Sequence, residues 1–191
     1  MKTLWYKSKA GFDSQLLNGF QQSFSVDKRL ADEDIEGSIA YAQALNRAGV
    51  LTNKENMNIK KNLLSIKRKF NSRNGYKAED IHTAVEVELG KLVGKVAGKI
   101  HTGRSRNEQV VSDERLYLKK EIPLIQKEIL NLQKEIVSRA EKHIGVIMPG
   151  YTHLQQAQPV LFSYCLMSWF FALQRDKERL SDCLKRIDIS P

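Results

Sequence analysis

Two short stretches of this 191-residue sequence gather side chains able to do chemistry. The first is His101-Thr-Gly-Arg-Ser-Arg-Asn-Glu-Gln109, nine residues with almost no apolar side chain, placed where a long helical pattern begins. Arg104 and Arg106 offer planar forks suited to carboxylates, and Thr102 and Ser105 offer hydroxyls. A helix N-terminus adds free N–H donors and the positive end of a dipole. The chemistry is anion binding, and the competing reading is a solvated helix cap carrying surface arginines. A Walker loop is excluded because the Gly-Lys-Ser/Thr ending is missing. The second stretch is Pro149-Gly-Tyr-Thr-His-Leu-Gln-Gln-Ala-Gln-Pro159. His153 is the one side chain there that exchanges a proton near neutral pH, and Thr152 beside it can orient a substrate oxygen. A lone loop histidine is more often structural than catalytic. His82, His101 and His143 show no ligand spacing with His153, so no metal site is expected.

The elements that must position these clusters read as helices throughout, an all-α chain. Ile35, Ile39, Ala42 and Leu45 recur at helical spacing between Asp32 and Ala48, and Gly49 follows as a stop. Thr52-Asn-Lys-Glu55 has the form of a capping box and opens a helix carrying Leu63, Leu64, Ile66 and Phe70, which the turn Arg73-Asn-Gly-Tyr76 closes. From Glu79 a third helix places Ile81, Val85, Leu89, Leu92 and Val96 on one side. No run alternates with strand period for long enough to propose a sheet.

After Gly103 the pattern becomes a heptad seam, with Leu118, Ile122, Ile125, Ile129, Leu132 and Ile136 at alternating spacings of four and three. One helix from near Asn107 to Lys142 is implied, roughly 50 Å long, with a kink expected at Pro123. A second long helix opens with Pro159 near its first turn and carries Phe162, Leu166, Trp169, Leu173, Leu180, Leu184 and Ile187. Two such helices cannot cover each other, and Trp169, Phe170 and Phe171 call for further helices from the same chain or from partners. The first long helix also separates Arg106 from His153. Either one cluster alone is functional, or a site forms between chains in a homo-oligomeric bundle.

Composition bounds the class. At 41% hydrophobic and 28% charged with four prolines, the chain is globular rather than disordered. Cys165 and Cys183 form no CxxC pair and read as reduced core thiols. The N-terminus lacks an apolar segment behind its basic residues, and the longest apolar run, Val160 to Leu173, falls short of a bilayer, so a cytoplasmic location without membrane association is expected. A net charge of +9 invites an anionic partner. Lys60, Lys61, Lys67, Arg68, Lys69, Arg73 and Lys77 raise nucleic-acid binding, but on a helix they partly surround the axis and no aromatic residues interleave. A solvated basic face is the preferred reading, with no nucleic acid.

HTGRSRN (101–107), PGYTHLQQAQP (149–159) and EDIH (79–82) resemble the signature segments of argininosuccinate lyase, in the fumarase/aspartase superfamily. The resemblance runs from Leu4-Trp5 through Asp34-Ile-Glu-Gly-Ser38 to Arg186-Ile-Asp-Ile-Ser-Pro191. It implies a short-helix N-terminal domain, residues 1–103, followed over 104–191 by the first two long helices of a central bundle. It implies C–N cleavage of argininosuccinate to arginine and fumarate, in arginine biosynthesis or the urea cycle, without cofactor or metal. It further implies a homotetramer whose sites are shared between subunits. By the same resemblance His153 matches the catalytic histidine, Ser23, Asn107 and Thr152 match substrate contacts, and Arg106, Asp80 and His82 line the same pocket. The sequence departs from the family at Tyr6-Lys-Ser-Lys9, Gln21, Glu108 and Tyr164. The loop bearing the family's second catalytic residue, a serine, is absent, so the 191 residues alone are expected to be inactive. The alternative is a catalytically inactive relative kept for packing or assembly.

Overall fold

Local sequence signals set the first helices. In the computed structural model, which describes residues 19–20, 22–72 and 78–191 (side chains at 71 and 72 aside), a single helical turn α1 (Phe24–Asp27) and a 3-10 turn (Lys28–Leu30) lead into α2 (Ala31–Arg47). Asp32, Glu33 and Asp34 crowd the first turn of α2, where the helix dipole favours negative charge. Gly49, at φ 78°, lets the chain leave the helix in the left-handed region. The capping box then forms as its spacing predicts. The Thr52 N–H donates to Glu55 Oε2 at 2.8 Å, and the Glu55 N–H donates to Thr52 Oγ1 at 3.2 Å, opening α3 (Asn53–Ser72). Asp80 caps α4 (Ile81–Val93) by accepting the Thr83 N–H at 2.6 Å. Gly94, at φ 66°, ends α4 earlier than the predicted periodicity did, and a 3-10 helix (Gly94–His101) carries Val96 on to the same core.

The chain divides into two compact units, residues 1–117 and 118–190. In the first, one face each of α2, α3 and α4 closes over Ile35, Ala42, Ile59, Leu63, Ile66, Ile81 and Val85. Burying this apolar surface drives the packing. On α3 the buried line Ile59, Leu63 and Ile66 leaves Lys60, Lys61 and Arg68 in solvent, while Lys67 pairs with Asp32 at 3.3 Å. Arg73, Lys77 and the predicted 73–76 turn lie outside the described residues.

Helix α5 (Arg106–Lys142) runs unbroken through Pro123. In the second unit it packs against α6 (Phe162–Ile187), around Ile136, Ala140 and Leu166 with Phe162, Met167, Phe170 and Leu173. The heptad seam is only half used. Ile122 and Ile136 are buried, whereas Leu118, Ile125 and Leu132 stay exposed. Two glutamines on the buried side fix the pairing. Gln126 Nε2 donates to the Lys177 carbonyl (3.2 Å) and to Ser181 Oγ (2.8 Å), and Gln133 Nε2 donates to the Phe170 carbonyl (3.2 Å). Trp169 and Phe171 remain 63% and 54% exposed, and a groove of about 540 Å³ runs beside Leu132, Ile136, Leu166 and Trp169. No helix among the described residues is long and apolar enough to cross a membrane.

The connection between the long helices differs from the sequence expectation. It is an antiparallel hairpin, β1 (Ile147–Thr152) and β2 (Gln155–Leu161), and α6 starts at Phe162. Pro159 therefore lies not in a helical turn but opposite Pro149. A two-stranded ribbon has only edge strands, where a residue without an N–H is tolerated. The register shifts between Pro149 and Tyr151. Gly150 permits this, because a Cβ there would stand 2.8 Å from the Gln158 carbonyl oxygen. The all-α class otherwise holds.

Candidate functional site

The most buried polar cluster joins three helices. His82 on α4, Asp34 on α2 and Asp113 on α5 are 3%, 1% and 0% exposed. His82 Nδ1 lies 3.1 Å from Asp34 Oδ1 and 3.3 Å from Asp113 Oδ2, so it faces two acceptors and must carry the proton. Burial opposes the charged imidazole, but the carboxylates of Asp113 and Asp34 outweigh it and raise His82 to about 9. Burial raises Asp113, and after the opposing pull of His82 the nearby Asp34 charge leaves it at about 6. Asp34 is held below the usual carboxylate range: burial works against ionisation, and His82, Gln109 and Arg104 overcome it. The ligand-type atoms of these three residues all lie within 4.8 Å of one another, a spacing a metal could use. The His82 imidazolium and the nearby Arg104 charge offset the two carboxylates, while Asp34 Oδ2 and both Asp113 oxygens accept no regular hydrogen bond.

Arg104, half-buried, meets protein partners. Its guanidinium donates to Ser38 Oγ at 3.0 Å and stacks 5.2 Å from the Tyr41 ring centroid. Tyr41 in turn donates to the Thr102 carbonyl at 2.8 Å, which fixes the turn where Gly103 takes φ 70°. Ser105 and Glu108 repeat the capping-box pattern, the Ser105 N–H reaching Glu108 Oε2 at 3.4 Å. The Glu108 departure from the family pattern has this local use.

Arg106, 15% exposed, has different partners. Its two terminal nitrogens are held from different sides, one donating to Glu86 Oε2 on α4 at 3.0 Å and the other to Gln109 Oε1 at 3.1 Å. The same Glu86 oxygen lies 3.2 Å from His101 Nε2. The His101 contact holds Glu86 below the usual carboxylate range against its partial burial, with Arg106 adding to the effect. Gln109 Nε2 donates to Asp34 Oδ1, so a continuous polar chain runs from Arg106 to the buried cluster. Asn107 is exposed in the first turn of α5.

Ser23 and Asp80 also come together. The Ser23 N–H donates to the Glu79 carbonyl at 2.9 Å, and Ser23 Oγ donates to Asp27 Oδ2 at 2.6 Å. Asp27 Oδ1 accepts the Ile81 N–H at 3.1 Å. Burial raises the Asp27 carboxyl; Ser23 pulls it down, and the neighbouring Asp80 charge pushes it back up. Asp27, Asp34, Glu86, Gln109 and Asp113 were not singled out as site residues from the sequence. Their distant partners, brought from 15 to 79 positions away, reveal them. The cavity beside Asp34, His82, Glu86, His101 and Arg104 is about 20 Å³, room for one water and none for a dicarboxylate.

Thr152 and His153 lie in the second unit, both exposed at the tip of the hairpin. His153 and Leu154 take φ 50° and 62°, which makes a two-residue turn of the primed type. Neither residue is glycine, so the tip is strained. The turn displays His153 at the end of a short two-stranded ribbon.

Comparison with known proteins follows the same line. A protein-family profile described as lyase matches residues 9–191. The chain belongs to this lyase family. It is 47% identical over 178 residues to argininosuccinate lyase of Staphylococcus carnosus (strain TM300), covering 92% of this chain and 39% of that protein. To argininosuccinate lyase of Roseiflexus castenholzii (strain DSM 13941 / HLO8) it is 45% identical over 185 residues, covering 95% and 40%. Among solved structures, a variant of EDDS lyase with bound fumarate superposes with a TM-score of 0.67 at 25% identity, over 86% of this chain and 33% of that one. The chain spans about two fifths of the length of the curated relatives it matches.

Proposed function

We propose that this chain serves an argininosuccinate lyase, cleaving the C–N bond of argininosuccinate to give arginine and fumarate, in arginine biosynthesis in the cytoplasm. The observation that carries the reading is the strained, exposed hairpin tip that displays Thr152 and His153 within the stretch that matches the lyase family profile. In the reaction a base takes the proton from the carbon next to a substrate carboxylate. Hydrogen-bond donors hold the resulting aci-carboxylate, and the electron pair then expels the guanidino nitrogen, which gains a proton. His153 is the proton-transferring residue, Thr152 orients the substrate, and Ser23, Asn107, Arg106 and Asp80 bind it. By this reading His82, almost fully buried, lines the same pocket. The division into an N-terminal domain (1–103) and the opening of a central bundle (104–191) belongs to the same reading. So does a homotetramer in which one subunit's hairpin meets another's Arg106 and Asn107. The half-covered seam at Leu118, Ile125 and Leu132, with exposed Trp169 and Phe171, supports such packing.

Fumarate release from argininosuccinate, followed by ultraviolet absorbance, tests the proposal. The 191 residues alone are expected to be inactive, and activity is expected on mixing with a chain that supplies the serine loop. His153→Ala should abolish that activity and His143→Ala should not. An absence of fumarate release from every such assembly refutes the function. Full activity of the 191 residues alone refutes the dependence on assembly.

A further inference from the structure

We propose that Glu86 is a positioning residue for Arg106, acting with Gln109 as the second jaw of a clamp that aims the guanidinium at a substrate carboxylate. The inference rests on the function proposed above and adds to it how the anion-binding arginine is held.

Arg106 is the first residue of α5, on a long side chain that is floppy unless held. Its two terminal nitrogens are gripped by acceptors from different directions, Glu86 at 3.0 Å and Gln109 at 3.1 Å. Each acceptor is itself fixed. Glu86 Oε2 also meets His101 Nε2 at 3.2 Å, so the carboxylate is pinned between the 3-10 helix and α5. The Gln109 amide has only one workable orientation. Asp34 is an ionised acceptor, so the NH₂ must face Asp34 and the amide oxygen must face Arg106. The buried His82 cation and the half-buried Arg104 keep Asp34 ionised, and the core thereby dictates which way Gln109 points. Two of the five guanidinium N–H donors are spent on the clamp, which leaves three uncommitted on a side chain that is 15% exposed. The arrangement prepays the entropy of ordering Arg106, which is how a residue that never touches substrate improves binding.

The test uses the assembly that releases fumarate, comparing wild type, Glu86→Gln and Glu86→Ala. Losing a charge-assisted hydrogen bond should raise KM for argininosuccinate, and the inhibition constant for fumarate, by about tenfold or more in Glu86→Ala, with kcat within about threefold. The near-isosteric Glu86→Gln keeps an acceptor oxygen but loses the charge, so its KM should rise by a smaller amount, at least about threefold. Thermal midpoints confirm that each variant is folded. Should Glu86→Ala not fold, an unchanged KM in Glu86→Gln still overturns the proposal. A fall in KM in either variant also overturns it, because Glu86 would then compete with substrate for Arg106 instead of placing it. An inactive wild type would sink the proposed function, whereas an active wild type with unmoved variants would sink only this inference.

Discussion

The proton on His82 should make the protein lose stability between neutral and alkaline pH. His82 stands at about 9 in the folded protein against an ordinary 6.5. A group with a raised folded value contributes stability that is fully present below about 6.5 and is lost as pH rises through about 9. A displacement of that size corresponds to about 3 kcal/mol, with a steepest slope of about 1.4 kcal/mol per pH unit. His82 is 3% exposed, so solvent screening takes little from this figure. Asp113 acts in another window. Its folded value of about 6 lies above the ordinary 3.8, so the folded state holds that proton more tightly and stability falls as pH rises from about 4 to about 6. Above pH 7 the His82 proton is the group left to titrate in the cluster.

Asp113→Asn removes one of the two carboxylates that hold the proton while keeping the shape. The His82 titration should move down, and the loss of stability between pH 7 and 9 should shrink by about 1 kcal/mol or more. Urea midpoints by circular dichroism at pH 6, 7, 8 and 9 measure the stability, and an NMR titration of the imidazole reports His82 directly. A wild-type His82 that titrates near 6.5, or an Asp113→Asn protein with the same alkaline loss as wild type, refutes the reasoning.

Two further outcomes follow from the hairpin. Gly150→Ala forces a methyl against the Gln158 carbonyl at 2.8 Å, and it should speed amide exchange across 147–161 by about tenfold or more; unchanged protection would mean that the bulge does not need glycine. Leu154→Gly relieves a left-handed leucine that is 94% exposed and packs on little. Strain relief of about 1–2 kcal/mol, less about 0.5–1 kcal/mol for the freer unfolded glycine, should slow exchange at the hairpin amides; faster exchange would show that the turn is unstrained.

Much of the helical scaffold was legible because its causes are local. The Thr52–Glu55 box, the Gly49 stop and the start of the long helix near Arg106 depend on residues within a turn or two of one another. The hairpin was not legible for an equally physical reason. Strand alternation shows only when one face is buried, and residues 147–161 leave nearly every side chain in solvent, with two prolines and a bulge breaking the period. The heptad seam was read correctly as apolar, yet periodicity carries no information about which partner covers which flank. Gln126 and Gln133, not the full run of aliphatics, mark the side that α6 takes.

The same division runs through the candidate site. The sequence by itself singled out two segments whose residue types could do chemistry, since HTGRSRN and GYTHLQ are contiguous and their side chains sit side by side. What each side chain does there was decided by tertiary structure. Arg104 and Arg106 are two residues apart, and nothing local separates their roles. Arg104 lies near the buried charges of Asp34 and Asp113, while Arg106 meets Glu86 and Gln109 near the surface. The partners of His82, Asp34 48 positions earlier and Asp113 31 positions later, are brought to it only by the fold. A charge in a low-dielectric interior is governed by its nearest partners in space, and chain folding, rather than sequence spacing, chooses those partners.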